Sequence, residues 1–321
     1  MKNNYIIQFS GENLNIALAE LRSIEKEYND FHIIFTDKNI AIIEGEYIHI
    51  TNAAFSNYIS LVIDSNQSYG KLNARIPDGR FYVRVDGASK NDTEKIESEI
   101  GRNLGGQGRI SFKNPDFIIK AILVDQWYLC ILKYERNKKY FENRRAPLRP
   151  FFSPVSLHPK YARYLVNASG TVEGDTLLDP FCGTGGVLIE AAMLKRKIIG
   201  NDSSLNMVVG TKLNFKYYRI EDYEIFNKDI SKLELRNKVD GIATDMPYGR
   251  SSGIDNHGIE ELYMESFKKF HELLKDNKNC SIIINNTDYL KFADPYFENT
   301  LIIPVYQHKS LTRYFVVLKK L

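Results

Sequence analysis

From residue 175 to residue 285 the chain alternates short apolar runs with stretches of helical periodicity, and this alternation restricts the fold more than any other feature. The runs are Asp175–Asp179, Ile198–Asn201, Tyr223–Phe226, Val239–Thr244 and Cys280–Asn285. Helical stretches reach to about Arg196 and about Tyr218, and another spans 259–275. Strands separated by helices join as a parallel sheet covered on both faces, so the pattern predicts a doubly wound α/β domain over 158–321, opened by a helix from about Pro159 to Ser169. Its end departs from that plan. Leu301–Gln307 and Arg313–Leu318 are separated only by His308–Thr312. A parallel crossover needs about a dozen residues, so these two strands form an antiparallel hairpin, which is not the usual nicotinamide-binding arrangement.

The preceding half reads as α+β. A strand at Tyr5–Phe9, a helix over 13–27 with Leu14, Ala17, Leu18, Leu21 and Ile24 on one face, short strands at Ile33–Thr36 and Ile40–Ile43, a short helix near 50–56 and a strand at Tyr58–Ile63 follow the β-α-β-β-α-β order of a ferredoxin-like domain over 1–64. A second module over 65–136 has a strand at Phe81–Val85 and a helix at Asp92–Leu104, with Asp92 as its cap and Gly105-Gly106 as its stop. A hairpin of Ile118–Leu123 and Trp127–Leu132 completes it.

Charge is informative only locally. The whole chain has 43 basic and 40 acidic residues, a net charge of +3, which excludes a broadly polybasic protein but not a local basic stripe. Between Lys133 and Arg149 seven basic residues (Lys133, Arg136, Lys138, Lys139, Arg144, Arg145, Arg149) face two acidic ones, with Tyr134, Tyr140 and Phe141 among them. Pro147, Pro150 and Pro154 then disfavour continuous helix. Residues 137–157 are therefore expected to be a connector with an electropositive face, either meeting RNA or simply solvated. The 3 cysteines are far apart and suit a reducing compartment, not a disulfide framework or a metal site. No run approaches the about 20 apolar residues of a membrane span, and no signal peptide is visible at the polar N-terminus, so the expected setting is the cytoplasm.

Three motifs carry chemistry, each at the end of a predicted strand. Asp179-Pro180-Phe181-Cys182-Gly183-Thr184-Gly185-Gly186 joins a strand to a helix. Its glycines admit a close ligand, and the helix N-terminus favours a carboxylate or phosphate. An acid heading the loop would repel the diphosphate of a dinucleotide but suits a cation. S-adenosylmethionine, with its sulfonium and α-ammonium, fits better than NAD. The absence of GK[ST] excludes a P-loop, and the remaining alternative is a glycine turn kept for packing. Asp202, 17 residues after Gly185, is placed to bind two ribose hydroxyls or to cap the helix after it. Asp229 follows the third strand and is a weaker candidate for an adenine amino group. Asp245-Met246-Pro247-Tyr248-Gly249-Arg250 is the sharpest signal. The amine of a nucleobase is a poor nucleophile. A carboxylate accepting its N–H bonds can steer it toward a methyl donor, and Tyr248 offers a face for an unstacked base. Read alone, it could be a strand-end turn bearing a surface tyrosine. Residues 250–258 read as a mobile, substrate-facing loop. His158 is either a lining residue of the cofactor pocket or an ordinary polar position, and His271 is structural. No metal site is expected.

DPFCGTGG, then GND, then DMPYG resemble the Rossmann-fold amino-methyltransferases with a D/N-P-P-Y signature. Arg149-Pro150-Phe151-Phe152-Ser153-Pro154, with Leu157–Arg163 and Val166-Asn167, is similar to the entry of the catalytic domain in THUMP-containing tRNA methyltransferases. Phe81–Val85 and the hairpin 118–132 resemble a THUMP domain. The resemblance implies an S-adenosylmethionine-dependent tRNA guanosine N2-methyltransferase of the position-10 type. Asp179, Cys182, Gly183, Thr184 and Gly185 would form the cofactor loop, Asp202 would be the ribose acid and Asp229 the adenine contact. Asp245, Pro247 and Tyr248 would be catalytic. It further implies a THUMP-like module gripping the tRNA acceptor 3′ end. RNA contacts are expected from Lys138, Lys139, Arg144, Arg145, Arg149 and Arg250. The chain is expected to act as a monomer, and a small activating subunit is not derivable from the sequence. Met246 stands where the family has its first proline, and a less rigid turn is expected there. Open alternatives are a position-6 enzyme, a DNA adenine or protein glutamine methyltransferase, and a non-catalytic THUMP RNA-binding protein.

Overall fold

A computed structural model describes residues 2–154, 156–248, 256–308 and 311–321. The chain divides into two compact units. The first comprises residues 1–14, 29–51 and 55–137, and the second 15–28, 52–54 and 138–321. No helix among the described residues is long and apolar enough to cross a membrane.

The first unit is built on one sheet. Its strands are β1 (Asn4–Phe9), β2 (Phe31–Asp37), β3 (Ile40–Gly45), β4 (Ser56–Asn66), β5 (Arg80–Asp86), β6 (Arg109–Ile110), β7 (Phe117–Leu123) and β8 (Trp127–Glu135). They are ordered β2-β3-β1-β4-β8-β7-β5-β6. The expected break at residue 64 is absent from this sheet: β4 runs through it and pairs antiparallel with β8 from Tyr58↔Glu135 to Asn66↔Trp127. The helix α1 (Leu14–Tyr28), expected as part of a domain over 1–64, groups from residue 15 onward with the second unit. The expected helix near 50–56 is a 3-10 segment, Ile48–Asn52. The helix α2 (Lys90–Leu104) buries Ile96, Ile100 and Leu104, spaced four apart, with Phe81, Val83 and Ile119. Its cap is Ser89, whose Oγ accepts from the Asp92 N–H and donates to the Asp92 carboxylate at 2.6 Å. Asp92 is therefore the third residue of the helix and not its cap.

The second unit holds α3 (Pro159–Ala168), β9 (Thr176–Asp179), α4 (Gly186–Met193), β10 (Lys197–Asn201), α5 (Leu205–Tyr217), β11 (Tyr223–Phe226), β12 (Gly241–Asp245), α6 (Asn256–Leu273), β13 (Asn279–Ile284), β14 (Phe297–His308) and β15 (Leu311–Lys320). The order is β11-β10-β9-β12-β13-β15-β14. Strands β9 to β13 are parallel, and β15 runs antiparallel to both β13 and β14, as the short connection requires. The chain winds outward from β9 through β10 to β11, then returns to β12 on the other side of β9. The crevice at the C-terminal ends of β9 and β12 is thus the topological switch point, where open α/β sheets bind ligands. Apolar side chains of α6 (Tyr263, Phe267, Phe270) pack with Ile242, Ile282 and Val316 to form the main core beneath it.

The connector is largely folded into this unit. Arg144 pairs with the fully buried Glu190 of α4 through Nε at 2.8 Å and Nη2 at 3.0 Å, and Arg163 of α3 reaches the same carboxylate at 2.8 Å. Two parallel N–H bonds to one carboxylate compensate the desolvation of both charges. Arg149 is also buried, its Nε donating to the Arg144 carbonyl at 3.0 Å.

Candidate active site

Asp179 and Asp245 end β9 and β12, adjacent parallel strands, so both motifs open onto the switch-point crevice. The glycine loop begins at Asp179. Gly183 and Gly185 have φ of +51° and +79°, in the left-handed region that other residues enter at a cost. A Cβ on Gly185 would also lie 2.8 Å from Thr211 Cγ2 of α5, so this position needs glycine for space as well as for dihedral angle. The Thr211 hydroxyl donates to the Gly183 carbonyl at 2.7 Å. Asn214 of α5 accepts from the Phe151 N–H at 3.0 Å and donates to the carbonyls of Phe151 and Thr184 at 2.8 and 2.9 Å. Ser156 meets the Thr184 hydroxyl at 3.1 Å. The connector thereby braces the loop. Cys182 is buried, and burial pushes its thiol well above the ordinary range, which makes it a packing residue and not a nucleophile.

The acids differ in setting. Asp179 is buried and accepts from the Thr244 hydroxyl at 2.6 Å and the Phe181 N–H at 3.3 Å. Burial, with added repulsion from Asp202 and Asp245, pushes its carboxyl up to about 7. Asp202 accepts from the Gly183 N–H and the Ser204 N–H, both at 2.9 Å, so one carboxylate fixes the loop and the start of α5 together. Burial raises it as well. Asp229 is exposed and accepts from the Ser231 hydroxyl and N–H, bonds that hold its carboxyl below the usual range. It caps a 3-10 turn. Between these loops Asn201 donates to the carbonyls of Pro180 and Lys228 at 3.2 and 3.0 Å.

At the third motif the Tyr248 hydroxyl donates to Asp245 Oδ1. Burial raises the Asp245 carboxyl, opposed by the positive charge of Arg313 and by the Tyr248 bond. Burial and the Asp245 charge likewise push the Tyr248 phenol up. The Tyr263 hydroxyl of α6 donates to the Pro247 carbonyl at 3.2 Å. Met246 does not loosen this turn. Its N–H donates to the Ile283 carbonyl at 3.0 Å, a bond proline cannot make, and its side chain is 2% exposed within the main core.

Of the residues expected to meet RNA, Lys138, Lys139 and Arg145 are exposed, whereas Arg144 and Arg149 are turned inward. Their guanidiniums are held by Glu190 and by the connector's own backbone, and Arg144 lies over the Tyr140 ring at 4.3 Å. The expectation of RNA contact is corrected for these two. Arg250 and the rest of 249–255 lie outside the described residues. His158 caps α3, its Nδ1 accepting from the Lys160 N–H. Sequence reasoning missed Asn201, Thr211, Asn214 and Arg313. None belongs to a strand-end motif except Asn201, whose neighbours Gly200 and Asp202 drew the attention.

Residues 147–300 match the family described as RMKL-like, methyltransferase domain. A tRNA (guanine(10)-N2)-dimethyltransferase of Methanothermobacter thermautotrophicus is 30% identical over 98% of this chain and 99% of its own length. The chain belongs to the tRNA guanine-N2 methyltransferase family. Among other relatives, a Methanocaldococcus jannaschii tRNA (guanine(6)-N2)-methyltransferase is 37% identical over 79% of this chain and 75% of its own. The crystal structure of TrmN from Thermus thermophilus superposes with a TM-score of 0.56 over 99% of this chain and 100% of that one, at 18% identity, which establishes the fold.

Proposed function

We propose that this methyltransferase transfers the methyl group of S-adenosylmethionine to the exocyclic N2 of the guanosine at position 10 of tRNA. The observation that carries this reading is the pairing of β9 with β12, which sets the DMPYG carboxylate beside the glycine loop at one crevice. The full-length relative named for position 10 supports the choice of nucleotide. The cofactor supplies a methyl on a sulfonium. The residues present suit it: Asp179 is a buried carboxylate with only neutral donors among the described residues, and an α-ammonium is the partner such a group lacks. The N-terminus of α4 would hold the cofactor's carboxylate, and Asp202 and Asp229 would hold the ribose and adenine.

The target guanine leaves its stack to reach the crevice. Asp245 accepts an N–H of the 2-amine, turning the nitrogen lone pair toward the methyl carbon. With the cofactor bound, its sulfonium would give up the methyl as the new N–C bond forms, and Asp245 or water would take the released proton. Tyr248 uses one of the carboxylate's about four acceptor sites and presents its ring to the base. Pro247 holds the turn between them.

For the RNA grip we assign Lys138, Lys139 and Arg145 to phosphate contacts. The half of the first unit carrying α2, β5, β7 and β8 is assigned as the THUMP-like module for the acceptor 3′ end. An exposed Phe112 stacked on Tyr82 at 6.0 Å, with Arg84 4.8 Å over that ring, supports stacking on unpaired bases there. Labelled-methyl incorporation followed by mapping of methylated guanosines tests the reading. Label at guanosine 10 is expected; label at guanosine 6 would reassign the nucleotide, and label only in DNA or protein would overturn it. Asp245→Ala is expected to abolish transfer while leaving cofactor affinity within about twofold. Neutralising Lys138, Lys139 and Arg145 together is expected to weaken tRNA binding and reduce its salt slope by about two to three.

A further inference from the structure

Among the described residues, a positive charge that bears on Asp245 comes from the C-terminal hairpin, which no motif marks. Asp245 is paired with Ile283 across β12 and β13, and Ile283 with Phe315 across β13 and β15. Paired residues share a sheet face, and so do residues two apart on a strand, so Arg313 lies on the Asp245 face one repeat beyond Phe315. That face is covered by α3, whose Tyr161 and Tyr164 pack on Phe315. The Arg313 guanidinium sits over the Tyr248 ring, 5.8 Å from its centroid. Its Nε is buried with no hydrogen-bond partner, and no carboxylate among the described residues forms a salt bridge with it. Arg144 and Arg163, by contrast, are paired with the Glu190 carboxylate. Arg313 is half-buried, and a buried Nε left without an acceptor costs free energy that a role at the site would account for.

We propose that Arg313 is a positioning residue of the methyl-transfer site, keeping Asp245 an ionised acceptor and holding the Tyr248 ring in place for the target base. The inference rests on the methyl-transfer reading given above. The groups that bear on Asp245 are Tyr248 on its own turn, Asp179 on β9, Tyr263 on α6 and Arg313 on β15. Arg313 is the one cation among them, and it opposes the burial that drives the carboxyl toward its neutral form. A neutral carboxylic acid offers its proton where an acceptor is needed, and the amine is no longer oriented.

Single-turnover methyl transfer to tRNA at saturating S-adenosylmethionine, followed against pH, tests this. Arg313→Met is expected to lower the rate by about tenfold to a hundredfold and to move the acid limb up by about one pH unit, with cofactor affinity unchanged. Arg313→Lys is expected to recover most of the rate and the original limb. A purely structural arginine would move neither limb nor rescue. Should Arg313→Met also lose cofactor affinity, Arg313→Gln, which keeps N–H donors without charge, replaces it. An uncharged variant with the wild-type rate and acid limb would overturn the inference. Absence of transfer by the unsubstituted protein would instead defeat the underlying tRNA reading, and this inference with it.

Discussion

Asp179 and Asp245 stand at the ends of neighbouring strands, and their carboxyls are both pushed up by burial, yet the consequences differ. Asp179 at about 7 lies above its unfolded value near 3.8. A group raised in this way contributes stability that is complete below the unfolded value and is lost as pH rises through the folded one. In the ligand-free protein, melting temperature is therefore expected to fall between about pH 4 and about pH 7, and less so in Asp179→Asn. Cofactor affinity is expected to run the other way. A cationic ligand prefers the ionised acid, so titration calorimetry should show affinity rising through about pH 7, with Asp179→Asn removing the pH dependence. The motif residues were legible because glycine, proline and strand-end acids have few other uses. Thr211 and Asn214 were not, because their partners are loop carbonyls brought near by the fold. Met246 was misjudged for the same reason. Its buried side chain and its bond to Ile283 depend on a strand almost 40 residues away.

At the level of elements, periodicity located nearly every strand and helix, and the five-residue gap before Arg313 fixed the hairpin's sense. What it missed is where charge enters a packed face. Glu20, on the apolar face of α1, is wholly buried and accepts from the Ala54 N–H at 2.8 Å and Asn167 Nδ2 at 2.7 Å. Glu190, on α4, holds two arginines 46 and 27 residues away in sequence. Glu190→Ala would leave those guanidiniums buried without their acceptor, and a loss of about 3–5 kcal/mol is expected in denaturant unfolding. Replacing the Ser89 cap by alanine is expected to cost only about 1 kcal/mol.

Across the whole molecule, the units do not follow the chain in simple succession. Since α1 and residues 52–54 belong with 138–321, the fragment 138–321 lacks the partner of Asn167 and the helix that supplies it. It is expected to melt well below the full chain by circular dichroism, whereas a divisible two-domain protein would show a fragment of near-native stability. The net charge of +3 also reads differently. The basic run at 133–149 is divided: Lys138, Lys139 and Arg145 face outward, while Arg144 and Arg149 build the interior that braces the glycine loop. By itself, the sequence determined the parallel sheet, its closing hairpin, the three strand-end motifs and the family, because periodicity, chain-length limits on crossovers and special backbone positions are local properties. Register and packing in three dimensions settled that the first eight strands form one sheet, that α1 groups with the second unit, which arginines are buried, and that Arg313 stands over Tyr248. Those outcomes depend on strand register and on which faces remain to be covered, and neither is written in any one stretch of chain.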